Sequence, residues 1–127
     1  MKTIILDTSF LVACAEFKID YAQEINRIIQ EEFTITIIDK TINELDALIA
    51  KGGKQAQHAK LAKAILARKN IASIQTSAGS HVDKLILENA KQESHMVATI
   101  DTELKKKLQQ KKIGLIMVRQ KKYLAMQ

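Results

Sequence analysis

Strand-like and helix-like runs alternate along this chain from end to end, and that order leaves few architectures open. The strand-like runs are Lys2–Leu6, Phe33–Ile38, Ile71–Ile74, Met96–Ile100 and Leu115–Val118. They are rich in Ile, Val and Thr, which suit a pleated, half-buried surface. Between them, apolar residues recur at helical spacing in Ser9–Glu16, Tyr21–Glu31, a stretch from Thr41, Ala56–Arg68, Ser80–Glu93 and Thr102–Gln110. Gly52-Gly53 interrupts the helix that starts at Thr41. Such an order predicts an α/β domain with a mostly parallel central sheet and right-handed crossovers.

The 127 residues predict a single domain, 1–127, and 46% hydrophobic content suffices for a core. Cys14 is the single cysteine, which excludes an intrachain disulfide framework and makes a cysteine zinc site a poor fit. No apolar run approaches the ~20 residues of a membrane span. Ile4–Ala15 is broken by Asp7 and reads as strand then helix, not as a signal peptide. The expectation is a soluble, cytoplasmic protein without membrane contact.

Acids fall at informative places. Asp7 follows the Ile4–Leu6 run and Asp101 follows Met96–Ile100, so both are expected at the carboxyl edge of the sheet. Ligand crevices of open α/β sheets gather there. Glu44 sits early in the Thr41 helix, one turn before Leu48. Asp83 opens a helix and shares spacing with Ile86, Leu87 and Ala90, so its carboxylate is expected to lean toward the packed side. Each acid also has a plainer reading. Asp7 and Asp101 could cap the helices that follow, Glu44 could pair with Lys40, and Asp83 could meet a helix dipole. Convergence argues for more. Clustered carboxylates repel and resist desolvation, and an oxygen-preferring cation such as Mg²⁺ or Mn²⁺ relieves both. Metal-assisted phosphodiester hydrolysis is the chemistry such a cluster suits.

The net charge of +6 lies wholly in residues 101–127, with 8 basic and 2 acidic side chains against 12 and 12 before them. A one-sided basic end suggests a polyanionic partner such as nucleic acid. Lys105, Lys106, Arg119, Lys121 and Lys122 are the candidate contacts to it. Other features are weaker. His58, His81 and His95 have no metal-ligand spacing, Gly52-Gly53-Lys54 lacks the rest of a phosphate loop, and aromatics are only 4%. A phospho-acceptor signalling domain would want adjacent acids after the first strand, where Leu6-Asp7-Thr8 has one.

Four segments together resemble a PIN domain: Ile5-Leu-Asp-Thr-Ser-Phe-Leu11, Thr41-Ile-Asn-Glu-Leu-Asp46, Val82-Asp-Lys-Leu-Ile86 and Val97-Ala-Thr-Ile-Asp-Thr-Glu-Leu104. The resemblance implies a PIN-like three-layer sandwich and a metal-dependent endoribonuclease. It assigns Asp7, Glu44, Asp83 and Asp101 to the acidic quartet that holds Mg²⁺ or Mn²⁺. It assigns Ser9 and Thr99 to the small polar positions that support the first and last acids. Two positions depart from the common pattern: Ile100 stands where many PIN domains have Asn, and Lys84 where a second acid often follows the third. Lys84 could pair with Asp83. The stretch Ala98–Leu108, then Gly114–Val118 and Arg119–Leu124, is similar to PIN proteins that cleave small-subunit ribosomal RNA precursors. That implies structured rRNA precursor as substrate, with ribosome-assembly proteins as partners. Two alternatives share the resemblance: a toxin ribonuclease held by an antitoxin, and a non-catalytic RNA-binding domain in an assembly complex. PIN domains often pair, so a homodimer is a further expectation.

Overall fold

A computed structural model describes residues 1–77 and 81–127. The elements are β1 (Lys2–Leu6), α1 (Thr8–Phe17), α2 (Tyr21–Ile28), β2 (Phe33–Ile38), α3 (Thr41–Lys51), α4 (Gly53–Arg68), β3 (Ala72–Ile74), α5 (Val82–Asn89), β4 (His95–Ala98), α6 (Thr102–Gln110), β5 (Gly114–Arg119) and β6 (Tyr123–Met126). The described strands form one sheet in the order β3-β2-β1-β4-β5-β6. All pairings are parallel except β5 with β6. The chain builds outward from β1 in one direction, then returns to build outward in the other. The strand order therefore reverses between β1 and β4, which is where open α/β sheets bind ligands.

Strand alternation splits the core into two layers. Ile4 and Leu6 of β1, Met96 and Ala98 of β4 and Ile116 of β5 face Phe10, Ile25, Leu45 and Ala59 from α1 to α4. Ile5, Val97 and Leu115 point the other way, onto Val82, Leu85 and Ile86 of α5 and Leu104 and Leu108 of α6. Four helices on one face and two on the other make the expected three-layer α/β sandwich. Removing a fully buried side chain such as Leu45 by truncation to Ala costs about 2–5 kcal/mol.

Several boundaries differ from expectation, each for a local reason. β4 ends at Ala98, so Asp101 is separated from the strand by Thr99 and Ile100. α2 stops at Ile28 because Ile29 turns to extended backbone, short of the expected Glu31. α4 starts at Gly53, three residues before Ala56. Gly52 and Gly53 take φ of 79° and 81°, which lets the chain reverse from α3 into α4. α5 ends at Asn89, not Glu93, and the expected start at Ser80 lies outside the described residues. β6 is a sixth strand where the sequence reads as a basic tail. Among the described residues no helix is long and apolar enough to cross a membrane.

Candidate active site

Asp7 leaves the end of β1 locked by its backbone. Its N–H donates to the Ala98 carbonyl at 2.9 Å, and its carbonyl accepts from Leu11 N at 3.1 Å. The side chain makes no helix cap. Instead Oδ2 accepts from Ser9 Oγ at 2.7 Å and Thr99 Oγ1 at 2.8 Å. Thr99, fully buried, also accepts from Asp101 N at 3.0 Å. A hydroxyl thus ties the first acid of the cluster to the backbone of the last. Ser9 Oγ further accepts from Ile100 N at 3.4 Å. Ser9 lies in the first turn of α1 and Thr99 just after β4, and both hydroxyls meet the same Asp7 oxygen.

Burial holds the Asp7 carboxyl above its ordinary range. The hydroxyls of Ser9 and Thr99 pull it back down, and the nearby Glu44 charge raises it.

Glu44 rises from the first turns of α3 and joins two other elements. Its Oε1 accepts from Thr8 Oγ1 at 2.6 Å, and its Oε2 lies 3.5 Å from Val82 N at the start of α5. It does not pair with Lys40. That ammonium reaches Asp39 instead, at 3.1 Å. Asp101 realises its capping role: Oδ1 accepts from Glu103 N at 2.9 Å and Leu104 N at 3.1 Å. Capping and a site role are compatible, because Oδ2 makes no hydrogen bond among the described residues. Asp83 contradicts its expected lean. Val82, Leu85 and Ile86 take the packed side of α5, and Asp83 is exposed. Its Oδ1 accepts from Lys84 N at 2.9 Å. Among the described residues no ion pair joins Lys84 to Asp83.

Asp7, Glu44, Asp83 and Asp101 line one open cleft of about 270 Å³ with Thr8, Ser9 and Leu48. Among its lining residues there is no Lys or Arg. In Asp83 and Asp101 one carboxylate oxygen is held by backbone amides while the other makes no hydrogen bond among the described residues. Such half-committed carboxylates are oriented yet open to a ligand. The donor set is all oxygen and strongly anionic, which fits a hard divalent cation. Among the described residues, no group of three acidic, His or Cys side chains is close enough to hold an ion as it stands. A larger hollow of about 310 Å³ beside Tyr21 and Leu61 has Asp20 as its one acid.

The basic residues divide. Arg119, Lys121 and Lys122 belong to the β5–β6 hairpin, at the carboxyl end of β5 and so on the same edge as the acids. Three residues, Gln120 to Lys122, separate the paired Arg119 and Tyr123. Gln120 and Lys121 adopt left-handed backbone, φ 53° and 56°, in a tight turn that Lys122 N closes by donating to the Arg119 carbonyl at 3.0 Å. Lys105 and Lys106 lie on α6, across the sheet from α1, and Lys106 Nζ is 4.0 Å from Glu103. The structure does not bring them together with the hairpin cations.

Two contributors escape sequence reasoning. Thr8, beside Asp7 in Asp-Thr-Ser, fixes Glu44; its place at a helix start is a faint signal. Asp39, at the end of β2, accepts from Lys40 N, Lys40 Nζ, Thr76 N and Thr76 Oγ1. It anchors the segment that leads toward α5. Its partner is 37 residues away, so no local pattern reveals it.

The sequence matches the family described as PIN like domain over residues 4–121. It is 37% identical over 127 residues to "Ribonuclease VapC4" of Methanocaldococcus jannaschii, covering 97% of this chain and 95% of that protein. Among solved structures it is similar to the "PIN domain endonuclease Utp24", with a TM-score of 0.82, 23% identity, and coverage of 98% of this chain and 90% of that one. The family match runs from within β1 through Asp7, Glu44, Asp83 and Asp101 to the end of β5 and the first residues of the turn that follows it. This chain belongs to the PIN-like domain family.

Proposed function

We propose that this protein is a metal-dependent endoribonuclease that hydrolyses RNA phosphodiester bonds, with Asp7, Glu44, Asp83 and Asp101 as its acidic quartet. One observation carries the reading: four carboxylates line one cleft without a Lys or Arg among its lining residues. The 37% identity to a protein named a ribonuclease favours catalysis over a purely scaffolding role.

Mg²⁺ or Mn²⁺ bound there would activate a water and offset charge at the leaving oxygen. The chain's own contribution is orientation. Ser9 and Thr99 hold Asp7, Thr8 holds Glu44, and two backbone amides hold one oxygen of Asp101, so the carboxylates that would hold the cation are oriented by their neighbours. The hairpin cations Arg119, Lys121 and Lys122 would hold the RNA backbone near the cleft.

The setting we favour is maturation of small-subunit ribosomal RNA, from the likeness of Ala98–Leu108 and Arg119–Leu124 to that branch. A toxin ribonuclease held by an antitoxin uses the same cleft. The test is cleavage of small-subunit rRNA precursor with Mn²⁺, with EDTA, and by Asp7→Asn in parallel. Cutting at one defined position that needs both metal and Asp7 is the expected result. Cutting of many RNAs without positional preference would favour the toxin setting. RNA binding without any cutting would overturn the nuclease reading.

A further inference from the structure

A second groove opens beside the acidic cleft and is continuous with it. The two share Thr8, Ser9 and Leu48. The groove is smaller, about 190 Å³, and runs along α1 past Val12 and Ala13 to Phe17. Ile100 forms one lip and is 42% exposed, although it is apolar. Glu16 and Gln55 supply the polar edge, and neither side chain makes a hydrogen bond among the described residues. At the far end the Lys121 ammonium sits 5.6 Å from the Phe17 ring centroid.

These features read as a path. The volume lies below the ~300–1,000 Å³ of pockets for drug-sized ligands, and fits one planar group. Apolar walls with an aromatic ring suit the faces of a nucleobase. Glu16 is acceptor-only, so it repels phosphate and welcomes an N–H donor. The Lys121 cation over the Phe17 ring is placed for a phosphate one step along the strand. Resting on the nuclease reading of the adjoining cleft, we propose that this groove is the subsite for one unpaired nucleotide next to the scissile phosphate. Its base lies between Ile100 and Phe17, Glu16 reads an exocyclic amine, and Lys121 holds the following phosphate. The subsite then prefers a base that carries an exocyclic amine, adenine, cytosine or guanine, to uracil, whose carbonyl oxygens face an anion poorly.

The test measures binding of short oligo(A), oligo(C) and oligo(U) RNA by fluorescence anisotropy, with Mn²⁺ cleavage followed alongside. The wild type should bind oligo(A) and oligo(C) about tenfold more tightly than oligo(U), the order of a single base-edge contact. Glu16→Gln should erase most of that difference. Lys121→Ala should weaken all three alike and reduce the salt slope by about one. Base preference unchanged in Glu16→Gln, or an absent preference in the wild type, overturns the subsite. Base-dependent binding that Glu16→Gln abolishes, with no cleavage by any variant, upholds the subsite and overturns the nuclease reading alone.

Discussion

Burial raises the Asp7 carboxyl while the hydroxyls of Ser9 and Thr99 lower it, and burial dominates. A carboxyl whose folded value lies above its unfolded value weakens the fold in its ionised form. That penalty is absent below the unfolded value and grows as pH rises through the folded one. Asp7→Asn removes the charge and keeps an oxygen to accept from Ser9 and Thr99. Metal-free Asp7→Asn should therefore melt at or above the wild-type temperature at pH 7, and the gain should vanish in acid. RNA cleavage should fall by orders of magnitude. A marked loss of stability at pH 7 would instead make the Asp7 charge a structural acceptor for the Ser9 and Thr99 hydroxyls. Cys14 is shifted the same way without opposing hydrogen bonds: burial pushes the thiol up to about 12 and leaves it inert as a nucleophile.

Elements place these residues, and two clamps between elements are testable. The outer edge of β6 is guarded by α2. Glu24 Oε1 accepts from Leu124 N at 2.9 Å, and Arg27 donates to the Leu124 carbonyl at 2.9 Å. Unpaired strand edges invite pairing with other chains. Glu24→Ala should raise concentration-dependent self-association in sedimentation, and an unchanged monomer would deny the guard role. Asp39 clamps the segment after β3 and is held down to about 2 by Thr76 first and Lys40 second. Its contribution to stability is present above the ordinary carboxylate value and is lost as pH falls toward about 2. An acid titration of Asp39→Asn should therefore be flatter than wild type between about pH 4 and 2; parallel curves would show the clamp to be idle. The alternation of strand and helix was legible because β1 and β4 read as apolar runs buried on both faces, and β2 alternates and then runs apolar into its buried end. β6 was not, since Leu124 is its one fully buried side chain and its turn uses Gln120-Lys121 in place of an Asn-Gly signal. The four acids were legible from their places after strands and at helix starts. The direction of Asp83 was not, because one-turn spacing alone does not say which side of α5 meets the sheet. Thr8 and Asp39 act through partners far off in sequence, and such contacts leave no local mark.

At the scale of the whole molecule, charge is segregated along one edge of the sheet. Carboxylates gather where the strand order reverses, and Arg119, Lys121 and Lys122 stand on the hairpin beside them. A cation that binds only the folded cleft must stabilise the entire domain, by about 2.7 kcal/mol at a hundredfold excess over Kd. Asp101→Asn isolates the site role from the cap role, since Asn caps helices as well as Asp does. Its oxygen can still accept from the Glu103 and Leu104 amides, so the metal-free melting temperature should stay near that of the wild type. The charge that attracts a cation is gone, so Mg²⁺ or Mn²⁺ should raise the melting temperature of the wild type clearly and of the variant much less. Equal shifts would remove Asp101 from the ligands and leave it a cap. A fall in the metal-free melting temperature would mean that α6 depends on the charge at its start, through the helix dipole, and not only on the hydrogen bonds.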